Sequence, residues 1–422
     1  MGGSIPDIPG TRAEPELANS FRYEVANLIG WKGSTKFPGA QPVSFASKHL
    51  LELQKEDYYV CEKTDGIRCL MYLTQDGEDE VVYMIDRKND YYHVPGLHFP
   101  RDAENPAQFH TQTLLDGELV NDRQPDGSLK MQFLVFDCLI MDGNNLMRRS
   151  LDKRLAYFRE KLLFPYDQLY KKYPQELDYV PFTVGFKHVE LGYAIEKLFD
   201  TVIPKLKHGS DGLIFTCRSS PYTPGTDEKI LKWKLESENS IDFRMWLQSP
   251  MVDPDSDEED GAYPDYTAVP QVQLTVFGGS EGDLPFATMA LTASEWEGLK
   301  ARGEPLNERV VECCIDKSGN WRYSRFRDDK PESNHISTAE KVMESIQDGV
   351  TKQELINHQG RIKEAWKRRQ AVIDEQSRKN QESRKSAPVT PQQRGGSAQN
   401  GDPVNLAGGV KRKFESDHAN PG

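Results

Sequence analysis

The sequence predicts an α+β protein of two domains, built mainly on antiparallel sheets with helices packed over them. Three observations lead to this prediction. Short β-rich segments alternate with turn dipeptides, and apolar residues at helical spacing are confined to a few places. An acidic run at residues 253–265 separates a larger group of strands from a smaller one. A chain of 422 residues is long enough for each domain to bury its own core.

The larger group of strands lies between about Pro42 and Phe243. β-branched and aromatic residues predict strands at Tyr58–Cys61, Arg68–Leu73, Val81–Asp86, Met131–Leu139, Gly212–Cys217 and Ile230–Leu235. Turns are expected at three Asp-Gly pairs, at residues 76–77, 126–127 and 142–143. Apolar residues at helical spacing predict helices at Leu151–Leu163 and Tyr193–Ile203.

The smaller group follows the acidic run, which we expect to be a solvated loop. Its strands are predicted at Val272–Phe277, Arg309–Asp316 and Trp321–Arg327, and a helix-rich stretch follows from Ser337 to about Arg369. From Ser386 onward the chain is rich in Ser, Pro, Gln, Gly and Asn. Such a composition cannot bury enough apolar surface to offset the entropy of ordering, so we expect a disordered tail.

The composition argues against several classes of protein. No stretch approaches the ~18 to 20 apolar residues of a membrane span, and Met1–Pro6 resembles neither a signal peptide nor a myristoylation motif. A net charge of −13 argues against nucleic-acid binding over the whole surface but allows a local basic cleft. The six cysteines lie in apolar runs without zinc-ligand spacing, and we expect them to be reduced core residues of an intracellular protein.

One short segment, Lys63-Thr64-Asp65-Gly66-Ile67-Arg68, lies between two predicted strands and is the first candidate for chemistry. The sequence contains no P-loop, GxGxxG, HExxH or GxSxG motif, so a nucleotide would have to bind without a P-loop. Taken alone, the segment is more often a surface turn that carries an exposed lysine. Its significance comes from the motifs that follow it in order.

Those motifs are Ile85-Asp86-Arg87, LDGEL at 115–119, FLVFD at 133–137, SDGLIF at 210–215, LKWK at 231–234 and WRYSRFRDDK at 321–330. Together they resemble the ordered motif set of the covalent lysine nucleotidyltransferases, the superfamily of mRNA-capping guanylyltransferases and ATP-dependent polynucleotide ligases. The LKWK form, the segment at 321–334 and FPGAQPVS at 37–44 resemble the capping branch. The resemblance spans about Phe37 to His335.

The resemblance implies an antiparallel-sheet nucleotidyltransferase domain followed by a smaller OB-fold β-barrel domain and a helical, then disordered, tail. We expect an N-terminal extension at 1–36, the nucleotidyltransferase domain at 37–243, the OB-fold domain at 244–336, a basic helical segment at 337–385 and the disordered tail at 386–422. It also implies that the OB-fold domain closes over the nucleotide about a hinge near Ser237–Phe243.

The resemblance assigns roles to individual residues. Lys63 attacks the α-phosphate of GTP, assisted by Arg68 and Asp211, and Asp211 also supports a Mg or Mn ion. The residues implied to bind the nucleotide are Asp65, Gly66, Arg87, Glu118, Phe136, Lys187, Lys232, Lys234, Arg325, Arg327, Asp329 and Lys330.

Elementary chemistry agrees with these roles. A nucleophilic lysine must be a neutral amine, although its ordinary pKa is ~10.4, and nearby cations such as Arg68 and a bound metal would lower it. Lys232 and Lys234 alternate along a strand and so share a face, as a phosphate clamp requires. Arg325 and Arg327 alternate likewise, and guanidinium groups match phosphate oxygens in pairs.

The sequence determines less fully which residues contact the guanine base and the ribose. Phe133 and Phe136 are three residues apart and face opposite sides of a strand, so at most one stacks on guanine; Phe136 is favoured without being decided. By resemblance, Lys187 donates to the guanine O6 atom and Glu118 binds the ribose hydroxyls.

The sequence therefore predicts a GTP:mRNA guanylyltransferase that forms lysyl-GMP on Lys63 and passes GMP to 5′-diphosphate RNA. With no triphosphatase domain before Phe37, the chain resembles the split arrangement. This implies a separate RNA triphosphatase subunit, docking on the phosphorylated tail of RNA polymerase II, and a nuclear location with 411–413 as a weak localisation signal. The alternatives are an ATP-dependent polynucleotide ligase, or a non-catalytic RNA-binding or scaffold protein, against which the presence of Lys63 weighs.

Overall fold

The computed structural model describes residues 5–31, 35–235, 239–252, 262–316 and 318–386. Residues up to Arg369 belong to one compact unit. A second unit, Gln370–Gly422, is described only to Ser386, as part of a helix. The predicted disordered tail, apart from Ser386, and most of the acidic run, residues 253–261, lie outside the described residues.

The strands are, in chain order, β1 (Thr11–Arg12), β2 (Ala40–Ser44), β3 (Tyr58–Thr64), β4 (Ile67–Asp76), β5 (Asp79–Ile85), β6 (Tyr91–His93), β7 (Thr113–Arg123), β8 (Leu129–Met141), β9 (Asn144–Asn145), β10 (Thr183–Phe186), β11 (Glu190–Leu191), β12 (Ser210–Cys217), β13 (Gly225–Lys234), β14 (Ser240–Gln248), β15 (Met251–Val252), β16 (Tyr263–Pro264), β17 (Gln271–Phe277), β18 (Asp283–Met289), β19 (Val310–Ile315) and β20 (Trp321–Phe326). The α-helices are α1 (Pro15–Ile29), α2 (Ser47–Lys55), α3 (Leu151–Tyr157), α4 (Phe164–Lys172), α5 (Ile195–Lys197), α6 (Ala293–Lys300), α7 (Ile336–Gln347) and α8 (Lys352–Ser386).

Two sheets form the first part of the molecule. One has eight strands, in the order β1-β6-β5-β4-β7-β8-β10 with β9 beside β8, and the other has five, in the order β11-β3-β12-β13-β2. Within these two sheets the strand pairs are antiparallel except for β8 with β10 and β13 with β2. The prediction of a mixed protein dominated by antiparallel sheets is confirmed.

Side-chain alternation gives the five-stranded sheet an apolar face and a polar face. On β3, Tyr58 and Val60 are buried in the core beneath the sheet, with Phe215 and Leu231 from the neighbouring strands. Lys63 has the opposite parity and therefore lies on the other face, which looks toward the eight-stranded sheet.

The N-terminal segment is part of the first domain's core. Helix α1 begins with Pro15 in its first turn and ends at Gly30, whose φ of 72° is a left-handed conformation that suits glycine. Ala18 and Val25 pack with Tyr72 and other residues of the eight-stranded sheet. Residues 15–29 are therefore integrated into the domain that we predicted to begin at Phe37.

The helical prediction at Leu151–Leu163 holds but is incomplete. Helix α3 passes into a π-helical turn at Phe158–Leu163 and continues as α4 to Lys172. The second predicted helix, Tyr193–Ile203, is a short α-helical turn followed by a π-helical turn at Leu198–Val202 and a 3-10 turn at Ile203–Lys205. Phe158 and Leu162 anchor the first of these helices in the core of the eight-stranded sheet.

The second group of strands closes into a five-stranded barrel, in the order β14-β17-β18-β20-β19. Helix α6 lies between its third and fourth strands in sequence. Ser240–Arg244 of β14 pair with β19, so the predicted division at residues 243/244 falls inside a barrel strand. Beyond β14, strand β15 pairs with β16, which lies near the end of the acidic run, so part of the segment that we expected to be a solvated loop is a short strand.

The chain returns from the barrel to the first part of the molecule. Ala339 and Val342 of α7 pack on the barrel core. Val350, which follows α7, and Leu355 and Ile362 of α8 are buried in the core of the five-stranded sheet. The indole nitrogen of Trp233 donates a hydrogen bond to the Val350 carbonyl at 2.7 Å.

The remaining predictions on cysteines and membranes are also addressed by the structure. The six cysteines all lie among the described residues, form no disulfide there, and are buried except for the half-buried Cys314. Within the described ranges, no helix is both long enough and apolar enough to cross a membrane.

Candidate active site

A cavity of about 360 Å³ lies between the two sheets. Alternation places one set of side chains from the five-stranded sheet in its wall, and the eight-stranded sheet supplies the other wall. The first wall includes Tyr59, Cys61, Lys63, Ile214, Thr216, Ile230, Lys232 and Lys234, and the second includes Arg68, Asp116, Glu118, Phe136 and Asp137.

Lys63 is the most distinctive residue of this cavity. Its Nζ donates to Asp211 Oδ1 at 2.6 Å, and its side chain is 25% exposed. Lys234 Nζ lies 3.0 Å from the other oxygen of the same carboxylate. Burial acts to raise the pKa of Asp211, but Lys63 and Lys234 outweigh it and hold that pKa below its ordinary value. The arrangement holds a half-buried amine beside a carboxylate whose ionised form is favoured.

Lys187 lies at the inner end of the cavity and is 3% exposed. Its ammonium group contacts Thr64 Oγ1, lies 3.3 Å from Glu62 and lies 3.9 Å from Glu118. Burial acts to lower the pKa of Lys187, but the carboxylates of Glu62 and Glu118 outweigh it and raise the pKa. The group is therefore a charged donor held in a nearly closed space.

His208 contacts Glu62, which is also a partner of Lys187, and Asp122. Its Nδ1 lies 2.7 Å from Asp122 Oδ1, and its Nε2 lies 3.8 Å from Glu62 Oε1. Burial acts to lower the pKa of His208, but its contacts with the two carboxylates raise it to about 9. An imidazolium ion is thus part of the wall that holds Lys187.

The pKa values of two further residues of the cavity wall, Glu118 and Lys232, are shifted from their ordinary values. Burial raises the pKa of Glu118, and Lys187 and Lys63 oppose that shift. Burial also lowers the pKa of Lys232, and the neighbouring ammonium groups of Lys234 and Lys63 lower it further. Both shifts favour the neutral form of the side chain, and burial in the cavity wall is the main cause of each.

Arg68 does not pair with the groups around Lys63. Its guanidinium binds both oxygens of Asp116, at 3.0 and 2.6 Å, and also donates to the Ala40 carbonyl. Tyr222 donates to Asp116 Oδ2 at 2.6 Å. Arg68 thus joins β4 to β7 and β2, and the close partner of Lys63 is Asp211, one of the two residues that the resemblance placed beside it.

The two candidate aromatic residues are in different places. Phe136 lines the cavity, with the Arg68 guanidinium 5.4 Å from its ring centre. Phe133 is fully buried in the core of the eight-stranded sheet, where its ring centre lies 6.2 Å from that of Phe182. Only Phe136 is positioned to contact a ligand in this cavity.

Asp65 and Gly66 do not line the cavity. Asp65 is exposed, and its amide donates to the Gly209 carbonyl at 2.9 Å. A Cβ atom on Gly66 would lie 2.5 Å from the Leu119 carbonyl and 3.0 Å from Glu118 Cγ. Packing against β7 therefore leaves no room for a side chain at this position.

Arg325, Arg327, Asp329 and Lys330 also lie away from the cavity. Arg325 is 64% exposed and pairs with Glu312 at 2.6 Å. Arg327 pairs with Asp242 at 2.9 Å and Asp329 at 2.8 Å, and Lys330 also contacts Asp242. The strand ends at Phe326, so Arg327 follows it, but both arginines approach Glu312 and thus share a side as predicted.

The predicted residues divide into three groups. The cavity lining includes Lys63, Arg68, Arg87, Glu118, Phe136, Lys187, Lys232 and Lys234. Asp211 joins them through its contacts with Lys63 and Lys234. The four barrel residues and the pair Asp65 and Gly66 are held elsewhere.

Sequence reasoning missed several residues that shape this site. Asp116 anchors Arg68, and Glu62 and Thr64 hold Lys187. The buried pair Arg154 and Asp137, joined at 2.7 and 2.8 Å, fixes α3 to β8 beside the cavity. The available signal was a charged residue inside an apolar run, because such residues are buried only when they are paired.

Two family models match the chain. The model described as "mRNA capping enzyme, catalytic domain" matches residues 4–236, and the model described as "mRNA capping enzyme, C-terminal domain" matches residues 238–356.

Similar proteins carry the same description. A Neurospora crassa protein named mRNA-capping enzyme subunit alpha is 52% identical over 86% of this chain and 95% of its own length. Proteins of that name from Schizosaccharomyces pombe and Saccharomyces cerevisiae are 43% and 38% identical, over 90% and 87% of this chain and 94% and 88% of their own lengths.

Solved structures with detectable similarity include a mycobacterial DNA ligase D complexed with ATP, at 17% identity and a TM-score of 0.33, covering 69% of this chain and 95% of that one. An ATP-dependent DNA ligase from bacteriophage T7 with bound ATP is 13% identical, with a TM-score of 0.30, covering 69% of this chain and 98% of that one.

Proposed function

The chain belongs to the mRNA capping enzyme family and acts as its guanylyltransferase, and we propose that it does so through a lysyl-GMP intermediate on Lys63. The observation that carries this assignment is the Lys63 amine at the wall of a charged cavity, 2.6 Å from Asp211. The same cavity offers a donor at its inner end and two lysines along one strand, as binding of a nucleoside triphosphate requires.

In the first half-reaction Nζ of Lys63, as a neutral amine, attacks the α-phosphorus of GTP. A P–N bond forms, the bond from the α-phosphorus to the bridging oxygen breaks, and pyrophosphate leaves. The amine loses a proton to water, and the contact with Asp211 orients the nitrogen. In the second half-reaction a terminal oxygen of 5′-diphosphate RNA attacks the same phosphorus, the P–N bond breaks, and the lysine takes a proton back.

The cavity walls suggest how GTP is held. Lys232 and Lys234 lie beside Lys63 on the polar face of the five-stranded sheet, and we place the phosphates there. Glu118 would accept from the ribose hydroxyls, with Phe136 against the base. The buried ammonium group of Lys187 would donate to O6 of guanine, which adenine cannot match because it carries an amino group there.

A divalent cation, Mg or Mn, fits the donor set only in company with the substrate. Among the described residues no group of three Asp, Glu, His or Cys side chains could hold a metal by itself. Magnesium commonly binds through one carboxylate, phosphate oxygens and waters, and Asp211 is the carboxylate beside Lys63. When bound, the ion would neutralise charge on the phosphates.

We propose that the barrel is an OB-fold, because it has five strands with a helix between the third and fourth. We place the boundary between the domains among residues 235–239, since β13 belongs to the sheet and β14 to the barrel. Arg325, Arg327 and Lys330 would then reach the phosphates after the barrel moves toward the cavity, with Asp329 orienting Arg327.

Partners and location follow from the family. The name subunit alpha on the relatives denotes one subunit of an assembly, and we propose a separate RNA triphosphatase as the other subunit. We also propose action in the nucleus and binding to the phosphorylated tail of RNA polymerase II. The basic triplet 411–413 lies outside the described residues.

The test is covalent labelling with α-labelled GTP or ATP and a divalent metal. We expect label from GTP alone, in an adduct that survives alkali and is lost in acid, as a phosphoramidate is. The variant Lys63→Arg keeps the charge but cannot supply a neutral amine, so it should form no adduct. The matched control, Lys171→Arg on α4, should label as the parent does.

Three outcomes would contradict the proposal. Labelling of Lys63→Arg would remove Lys63 from the mechanism. Preferential label from ATP would favour a polynucleotide ligase. No label from either nucleotide, in a folded protein, would favour a non-catalytic scaffold.

A further inference from the structure

A second pocket, of about 540 Å³, adjoins the cavity of Lys63. The two share a wall, because Gln41 and Arg87 line both of them. The second pocket lies between α1 and the turn that joins β5 to β6, and none of the roles assigned to the GTP site uses it beyond Arg87.

The charged residues among those described in its lining are all cations. They are Arg22, Lys36, Arg87 and Lys88. Arg22 is partly neutralised, since Asp90 lies 3.4 Å from its guanidinium. The other lining residues named by the structure are uncharged, so the pocket presents a positive surface that suits an anionic ligand.

The turn at Asp86–Asp90 is fixed by its own hydrogen bonds. Asp86 Oδ1 accepts from the amides of Lys88 and Asp90, each at 2.9 Å. Asn89, with a φ of 63°, adopts the left-handed conformation that asparagine tolerates better than most residues. The turn therefore holds Lys88 and Asn89 in place without a ligand.

Asn89 carries an unused acceptor. The residue is 5% exposed and lines the pocket, and its Nδ2 donates to the Thr35 carbonyl at 2.6 Å. Its Oδ1 is buried and accepts no hydrogen bond from the residues that the structure describes. Buried acceptors are seldom left without a donor, so this atom points to a ligand that brings an N–H or O–H group.

We propose that this second pocket binds the 5′ end of the acceptor RNA. This inference rests on the proposed function and adds the binding site for its second substrate. The cations hold the 5′-diphosphate and following phosphate, and Asn89 Oδ1 accepts from a sugar hydroxyl or base N–H of the first nucleotides. Because Arg87 lies in both cavities, the terminal phosphate has a path to the GMP on Lys63.

The experiment measures the two half-reactions separately: formation of lysyl-GMP, here called charging, and transfer of GMP to RNA. The full-length enzyme is first charged with α-labelled GTP and freed of pyrophosphate, and the amount of lysyl-GMP is recorded. Single-turnover transfer to a short 5′-diphosphate RNA is then measured against RNA concentration at several salt concentrations.

Two variants probe the pocket. Lys88→Ala removes an exposed cation whose backbone contacts remain, and Asn89→Gly removes the acceptor while tolerating the left-handed backbone. Both should charge as the parent does and should need about tenfold more RNA for half-maximal transfer. Lys88→Ala should also reduce the salt dependence, by roughly 0.7 in the slope of log affinity against log salt, whereas Asn89→Gly should leave that slope unchanged.

Lys171→Ala, which removes an exposed lysine of α4 that lines neither cavity, is the control and should match the parent throughout. RNA whose first nucleotide is 2′-deoxy identifies the donor. If the Asn89→Gly defect disappears with this RNA, the donor is the 2′-hydroxyl; if it persists, the donor is a base.

Unchanged RNA dependence in Lys88→Ala, with normal charging, would overturn the proposal. A charging defect equal to the transfer defect would also overturn it, because the pocket would then serve GTP. If Asn89→Gly fails to fold, the salt slope of Lys88→Ala decides alone. Failure of the parent to form lysyl-GMP would instead refute the proposed function.

Discussion

The cations around Lys63 and the cations that follow the last barrel strand are held in different ways. Lys63 and Lys187 line one cavity, and their carboxylate partners, Asp211 and Glu62, belong to strands of the five-stranded sheet. Arg327 and Lys330 pair with Asp242, a residue of the barrel itself, and they do not line the cavity. One set of cations lies at a cavity, and the other is paired within the barrel.

The structure holds the two sets of motif cations in separate places. If both sets bind GTP, as proposed, the cavity cations are already positioned for it, whereas a phosphate has to replace a carboxylate as the partner of Arg327. The comparison therefore predicts that the two regions serve different steps, and three experiments test it.

The largest effect is expected from Arg327→Ala. If the barrel arginines orient the pyrophosphate leaving group, their loss should slow formation of lysyl-GMP by ~10³ to 10⁵, a typical contribution of an arginine to phosphoryl transfer. Pyrophosphate is absent from the second half-reaction, so enzyme charged by long incubation should transfer GMP to RNA within about tenfold of the parent. Rapid-quench measurement of each half-reaction checks this.

Arg302→Ala is the matched control in the barrel, because Arg302 contacts the rings of Tyr323 and Phe326. It should leave both half-reactions unchanged. If Arg327→Ala forms lysyl-GMP at the rate of the parent, the ion pairs with Asp242 and Asp329 are structural only. The barrel arginines would then have no role in the first half-reaction.

A change of pH is expected to have an intermediate effect, on the free energy of unfolding. The pKa of His208 is about 9 in the folded protein, against ~6.5 in an unfolded chain. The charged imidazole of His208 therefore adds its full contribution to the free energy of unfolding below pH 6.5. This contribution is lost as the pH rises through 9. It amounts to on the order of 3 kcal/mol.

Denaturant unfolding of the parent and of His208→Gln between pH 6 and pH 10 measures this contribution. The free-energy difference between the two proteins should shrink as the pH rises. A difference that is constant with pH would show that the wall around Lys187 does not depend on a charged imidazole.

The smallest effects are expected from Glu118→Ala and Lys232→Ala. Each removes a group placed against the ribose or phosphates and should cost ~1.5 to 3 kcal/mol, or roughly tenfold or more in labelling by GTP. Lys229→Ala, on the same strand but paired with Glu52, is the control. Parental labelling by either test variant would place that residue outside the binding site.

Alternation and turn chemistry made much of the fold predictable. The strands at β3, β4, β5, β8, β12 and β13 were expected because β-branched and aromatic residues mark them. Each extends beyond its predicted range at one or both ends, although β5 and β13 end one residue earlier than predicted. Strand β7 was not identified as a whole, because Asp116, Gly117 and Glu118 interrupt its apolar run. The charges are accommodated by partners on other strands, which no local pattern reveals.

Local sequence patterns also fail to reveal some of the contacts that build the site. Lys63 and Lys234 were predicted from ordered motifs, and the structure brings them to one carboxylate. The roles of Asp116 and Glu62 were missed because they depend on Arg68 and Lys187, residues distant from them in sequence. The pairing of Arg327 with Asp242 was missed for the same reason.

The return of the chain after α7 has a mechanical consequence. The barrel is joined to the sheets once near residues 235–239 and again at 348–350, where Val350 enters the core of the five-stranded sheet. The Trp233 hydrogen bond to Val350 secures the second attachment. If the barrel moves as proposed while this attachment holds, the segment at 348–350 limits how far the barrel can separate from the five-stranded sheet.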